Sequence, residues 1–168
     1  MLCTKIHNIF FKISRMKHPI MCWDIVMEGI SRRNEFSEDI KAIQYLMNQN
    51  NWQPPVRDLD NTIVWENKTL IVTDASLNIK LATKNLYDMN GYKPSEVIGK
   101  HPKFFQGEAT CLESRKIISM AIQQQIPFSC DIVNYRKDGG IYTCHIDGYP
   151  IFDKNGTLVN FVAIENAA

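Results

Sequence analysis

The chain has 168 residues, 45% hydrophobic and 22% charged, with a formal net charge of +1. That length and balance suit one ordinary globular domain with extensions. They give no electrostatic case for nucleic acid or an anionic membrane as partner, and no apolar run approaches the roughly 20 residues that a membrane-spanning helix needs.

Five cysteines (Cys3, Cys22, Cys111, Cys130 and Cys144) are odd in number, and no pair has C-x-x-C spacing. A disulfide framework and a zinc site are therefore not expected. Reduced thiols in a cytoplasmic protein are.

Residues 1–20 carry Lys5, Lys12, Arg15 and Lys17, with no acid before Asp24. Lys12 interrupts the apolar stretch and no small-residue cleavage site follows, which argues against a signal peptide. A disordered basic arm is expected, or a start placed upstream of Met16 or Met21. A transit-like or surface-binding segment is the alternative.

Residues 21–50 read as helix. Trp23, Val26, Met27 and Ile30 recur at i, i+3, i+4 and i+7, which makes one apolar stripe. Ser37 is placed to cap a second helix, with Glu38 and Asp39 in its first turn. Phe36, Ile40, Ile43 and Met47 continue an apolar face that stops at Asn48-Gln49-Asn50-Asn51. The stretch from Trp52 to Lys68 reads as a connector: Pro54-Pro55 forces extended backbone, and Asp58, Asp60 and Asn61 favour turns. Ile63, Val64 and Trp65 are apolar enough to pack back onto a domain.

From Thr69 the signals become those of a folded domain over residues 69–165, preceded by a helical extension and connector over 21–68. TLIVTD and IKLAT read as strands around a turn at Asp74–Asn78. Asn85 to Asn90 is a short helix that Gly91 stops. Pro94 opens a single helical turn that runs to Gly99. Residues 112–125 form the longest helix, with Ile117, Ile118, Ala121 and Ile122 on one side and Pro127 as its stop. Three runs rich in Ile, Val, Tyr and Phe follow, split by Asp138-Gly139-Gly140 and by Asp153-Lys154-Asn155-Gly156. Asp-Gly and Asn-Gly supply the positive φ that tight hairpins require. Asp147-Gly148 in the middle run suggests a bulge. The expected class is α+β, with an antiparallel sheet covered on one face by helices.

No catalytic motif stands out: the chain has no G-x-S-x-G, no H-E-x-x-H, no Walker loop and no Gly-rich dinucleotide turn. Asp74, Asp88, Asp131 and Asp147 are scattered without paired spacing.

Several ordered motifs do carry a resemblance. They are Thr73-Asp74, Asn90-Gly91-Tyr92-(x)3-Glu96-Val97-Ile98-Gly99, Asn134-Tyr135-Arg136-Lys137-Asp138-Gly139, and Pro150-Ile151-Phe152-Asp153-(x)2-Gly156. Together they resemble a PAS domain over residues 68–165, and most of all its flavin-binding LOV branch. The resemblance implies a five-stranded antiparallel sheet with short helices around a small internal cavity. Such domains sense a ligand, light or redox state, or dimerise.

The same resemblance locates candidate ligand-binding residues. The LOV motif is similar to Gly99-Lys100-His101-Pro102-Lys103-Phe104-Phe105-Gln106-Gly107, but has Asn at His101 and the photoreactive Cys at Pro102. Proline has no nucleophile, and none of the five cysteines lies within eight residues of Pro102. LOV proteins hold the flavin edge with two Asn on neighbouring strands and a Gln on the last strand. Asn134 matches the first, Cys144 stands at the second, and Glu165 stands at the Gln. Lys103 keeps a basic residue near the flavin phosphate, Ser119 stands where a second Arg is common, and Gln106 matches. A thiol is a weak donor and a carboxylate only accepts, so neither replaces an amide.

His145 neighbours Cys144 but falls on the opposite sheet face by alternation, so it does not activate that thiol. PAS haem sensors offer a His from the long helix, and residues 112–125 contain none. His101 before Pro102 reads as a turn residue.

The resulting expectation is a non-enzymatic PAS-type sensory or protein-interaction module of signal transduction, without a cofactor and without metal. The alternative is a flavin- or haem-binding light or redox sensor without the cysteinyl-adduct photocycle. Candidate cavity residues are Asn134, Gln106, Cys144, Glu165, Lys103 and His101. The chain ends three residues after Glu165, so no output module is expected to follow. Signalling is then expected to run through a protein partner or a homodimer built on the apolar stripes of 21–50, biased by a small-molecule ligand in the cavity.

Overall fold

A computed structural model describes residues 22–53 and 58–167. The basic arm and Pro54-Pro55 lie outside the described residues. The chain divides into two compact units, residues 1–35 and 36–168. Of the first, helix α1 (Cys22–Glu35) is described. Its stripe of Trp23, Val26, Met27 and Ile30 is exposed, and Glu28 pairs with Arg32 one turn on at 3.2 Å.

The second unit runs in the order α2 (Ser37–Gln49), α3 (Leu59–Val64), β1 (Thr69–Asp74), β2 (Ile79–Ala82), α4 (Leu86–Asn90), α5 (Pro94–Val97), a 3-10 turn (Pro102–Phe105), α6 (Leu112–Gln124), β3 (Phe128–Tyr135), β4 (Ile141–Phe152) and β5 (Leu158–Ala167). All strand pairs are antiparallel, and the sheet order is β2-β1-β5-β4-β3. The turns lie where the Asp-Gly and Asn-Gly signals put them. In the β4–β5 turn Gly156 has φ 80°, and the Asp153 carboxylate accepts from the Asn155 and Thr157 N–H groups, both at 2.8 Å.

Both faces of the sheet are covered, not one. On one face Leu70, Val72, Ile151, Val162 and Ile164 pack with Phe36, Ile40 and Ile43 of the α2 segment and with Leu59, Ile63 and Val64 of α3. The apolar stripe of α2 is thus spent on the chain's own sheet. On the other face Ile71, Ile79, Ile132, Tyr142 and Cys144 pack with Leu86, Met89, Val97 and Phe105 from the short helices and the 3-10 turn. Alternation lets β1, β2, β4 and β5 feed both cores, whereas β3 contributes Ile132 to the second alone.

Several local expectations change. Ser37 is the first residue of α2 rather than its cap, and no side chain caps that end. The carboxylate of Asp39, in the first turn, instead accepts from the Lys84 N–H at 3.0 Å. Asp58 caps α3 by accepting from the Asn61 N–H, so turn formers in the connector start a short helix. Trp65 and Ile117 are exposed. Asp147-Gly148 keeps unbroken register; the bulges fall at Val72/Thr73 and Ile151/Phe152. Gly148 is required for space, because the Phe128 ring lies where a Cβ would stand.

β3 is an edge strand, and side chains protect it. Thr110 donates its hydroxyl to the Val133 carbonyl at 2.7 Å, and Ser114 of α6 donates to that of Asp131 at 3.0 Å. These bonds fix α6 against the sheet.

One buried amide ties the α2 segment to the strands. Asn160 on β5 is 1% exposed. Its Oδ1 accepts from Trp52 Nε1 at 2.8 Å and from Asn50 Nδ2 at 2.9 Å, and its Nδ2 donates to the Thr73 carbonyl at 2.8 Å. Truncation leaves these groups without partners in a dry place. Asn160→Ala is expected to destabilise the fold by about 2–4 kcal/mol in urea unfolding, whereas Ser129→Ala on exposed β3 changes it by less than about 0.5 kcal/mol.

Candidate functional site

A line of polar side chains crosses the interior face of β3, β4 and β5. Asn134 pairs in register with Tyr142, Ile132 with Cys144, and Ile146 with Glu165. Period-two alternation therefore puts Asn134, Tyr142, Cys144 and Glu165 on one face. All four are buried. Asn90 at the end of α4 joins them beside the Tyr142 hydroxyl.

The β3–β4 turn positions Asn90. The Lys137 N–H donates to the Asn90 carbonyl at 2.9 Å. The Arg136 guanidinium donates to the Met89 carbonyl and stacks 4.6 Å over the Tyr142 ring. Lys137 also pairs with Glu96 of α5 at 2.6 Å. The Asp-Gly hairpin thus clamps α4 and α5 over the sheet.

The polar atoms of this line are poorly matched. Asn90 Oδ1 accepts from the Tyr92 N–H at 3.1 Å, but its Nδ2 is buried with no hydrogen-bond partner in the protein, as are Asn134 Oδ1 and the Tyr142 hydroxyl. Such groups cost free energy unless something pairs them. Glu165 is 5% exposed and has no ion pair among the described residues. Its Oε2 lies 3.6 Å from the Cys144 thiol.

Burial pushes the Glu165 carboxyl up to about 7, and the thiol pulls it back only in part. Burial, then the neighbouring Glu165, drives the Cys144 thiol far above its usual range. Burial does the same to Tyr142. At neutral pH the thiol and the phenol are protonated, so neither is a nucleophile.

Of the residues singled out from sequence, Asn134, Cys144 and Glu165 converge here. His101, Lys103 and Gln106 lie on the 3-10 turn, which reaches the same core through Phe105. His101 caps that turn, its Nδ1 accepting from the Lys103 N–H at 3.1 Å. Burial and then Lys103 lower its pKa, which suits an accepting, neutral ring. Lys103 is exposed, and the Gln106 N–H closes the turn on the Lys103 carbonyl at 2.9 Å. His145 faces away from Cys144, with Nδ1 2.6 Å from Asp131 Oδ1. Tyr142 and Asn90 were not anticipated. Tyr142 was within reach, since it sits two residues before Cys144 on one strand. Asn90, next to Gly91, read only as a helix end.

The shift at Glu165 has a sign. Unfolded, the group titrates near 4.5; folded, it titrates near 7. Between those values the folded state keeps a proton that the unfolded state has released. Stability therefore falls as pH rises through this window, and the loss is complete above it. Glu165→Gln abolishes that loss. In urea unfolding over a pH series, the variant is expected to match wild type near about pH 4 and exceed it by about 3 kcal/mol near about pH 8, at roughly 1.4 kcal/mol per unit. Parallel curves contradict this.

Comparison with known proteins agrees with the fold. The chain is 32% identical over 101 residues to Phototropin-2 of Oryza sativa subsp. japonica, covering 58% of this chain and 11% of that protein. It is 32% identical over 85 residues to the Blue-light-activated histidine kinase of Brucella canis, covering 51% and 17%. It thus spans a small fraction of the curated relatives it matches. The dark structure of the blue-light photoreceptor Aureochrome1 LOV superposes with a TM-score of 0.61 at 25% identity, covering 69% of this chain and 86% of that one. Residues 66–166 match the PAS domain family. With its five-stranded antiparallel sheet and LOV-type neighbours, the chain belongs to the PAS domain family.

Proposed function

We propose that this chain is a non-enzymatic sensory and protein-interaction module of signal transduction, that it holds no resident flavin, and that it does not run cysteinyl-flavin photochemistry. The observation that carries this reading is where the thiols stand: none lies on the 3-10 turn, and the buried one lies on β4. Cys144 is the one fully buried cysteine among the described residues. It sits 3.6 Å from Glu165, and burial holds its pKa far above the usual thiol range. The position that resembles the photoreactive cysteine is Pro102, which opens the 3-10 turn.

The polar line supports the same reading. Asn134 and Asn90 offer amide groups that suit a pyrimidine-like edge. Glu165 does not: ionised, it repels ring carbonyls, and near neutral pH it is only partly protonated. The relatives' names speak for sensing, since one is a phototropin and another a blue-light-activated kinase. Sensing by this chain would then rest on a ligand or a partner rather than on an adduct.

The partner surface in this reading is α1. The α2 stripe is buried against the chain's own sheet, so a dimer through both N-terminal helices is narrowed to the exposed stripe of α1. An apolar helical stripe gains from a covering neighbour, and a second copy supplies an identical one.

An absorbance scan of freshly purified protein tests the proposal, together with native mass spectrometry. The expected outcome is no flavin or haem band, no spectral change under blue light, and a dimeric mass that Met27→Glu reduces to the monomer. A flavin band overturns the cofactor-free reading, and a monomeric wild-type mass overturns the α1 dimer.

A further inference from the structure

β5 is central in the sheet, but its last residues lie beyond the reach of β1. The β1 ladder runs from Asp74↔Asn160 to Thr69↔Glu165 and goes no further. The β4 ladder continues through Ile146↔Glu165, His145↔Asn166 and Cys144↔Ala167. Glu165 is therefore the last residue of β5 paired on both flanks, and Asn166 and Ala167 are paired on one only. Ala167 is exposed and Asn166 half-buried, whereas Glu165 and Cys144, just behind them, are buried.

The carboxyl at this junction changes charge near neutral pH, because burial lifts it to about 7. The groups around it do little for the charged form. The Cys144 thiol lies 3.6 Å away, and Tyr142 is the other titratable group beside it, also on β4. Its register partner on β1 is Thr69, and α4 ends in Asn90, both uncharged. Arg136 lies over the Tyr142 ring and is engaged by the Met89 carbonyl. No cation pairs with Glu165 among the described residues, so its ionised form gains by reaching water. Lifting the strand end gives it that water at small cost. Three register pairs to β4 and one to β1 part, while Val162 and Ile164 stay in the core of the opposite face. The same movement uncovers Cys144.

We propose that residues 165–167 form a proton-gated flap: with Glu165 neutral the end of β5 is closed over Cys144, and with Glu165 ionised it opens locally and exposes the thiol. The closed form holds the Glu165 proton up to about pH 7, whereas the open, solvated form releases it near 4.5. Opening therefore becomes about tenfold easier per pH unit between those values and levels off above them.

Hydrogen exchange of the full chain by NMR, corrected for the intrinsic rate at each pH, reads the opening. The backbone amides of residues 165–167 and 144–146 are compared with those of Val72 and Val162, paired at the middle of the sheet. Protection at the flap is expected to fall about tenfold per unit from about pH 5 to about pH 7, to level off above, and to ignore sub-denaturing urea. Val72 and Val162 should exchange more slowly and accelerate with urea, as global unfolding requires. Alkylation by iodoacetamide, followed by peptide mass spectrometry to separate Cys144 from the other cysteines, reads the thiol. At about pH 8 Cys144 should react about a hundredfold faster in wild type than in Glu165→Gln, and the gap should narrow as the pH falls. Because the exchange series is read on the unmodified protein, the test stands even if the variant does not fold. Flap amides as protected as Val162 and as steep in urea, protection unchanged between about pH 5 and about pH 7, or alkylation of Cys144 no faster in wild type than in folded Glu165→Gln overturns the proposal.

Discussion

A carboxyl group almost sealed from water, with a thiol as its nearest polar neighbour, governs the interior of this PAS domain. Glu165 is held there by the register of β4 and β5, which pairs it with Ile146 and turns it towards Cys144. Burying an acid without a cation is costly, and the cost appears as a raised pKa. The same burial keeps Cys144 protonated. One placement therefore raises the pKa of the carboxyl and of the thiol beside it, favouring the neutral form of both.

The fold makes that placement possible by covering both faces of a single sheet. The face carrying Glu165 is closed by α4, α5 and the 3-10 turn, which the β3–β4 hairpin holds down through Arg136 and Lys137. The opposite face is closed by the α2–α3 segment, tied to β5 and β1 through Asn160. Thr73 lies at the junction: its carbonyl takes the Asn160 amide, and its hydroxyl is buried without a partner. Residues of β1 thus serve both faces, Leu70 and Val72 on one and Ile71 on the other.

Much of this was legible in the chain itself. The strands TLIVTD and IKLA, the helix stop at Gly91, the Pro94 helical turn and both hairpins follow from local turn chemistry and period-two alternation. What was not legible depends on contacts distant in sequence. Periodicity showed that α2 has an apolar face but not what buries it, so the stripe read equally well as a dimer surface. Ser37 looked like a cap, yet the chain enters α2 through Phe36, whose ring is needed in the core. Within the site, Asn134, Cys144 and Glu165 came from resemblance, whereas Tyr142 passed as one aromatic in a strand. Asn90 gave no signal of burial, because a polar residue before glycine is normally solvated.

The protonation of Glu165 is the physical claim beneath the rest. A carbon-detected NMR titration of its side-chain carboxyl in the purified, ligand-free protein reads that claim directly. The account predicts a midpoint of about 7. A midpoint at the ordinary value near 4.5 would mean that the carboxylate is solvated or already paired, and would contradict it.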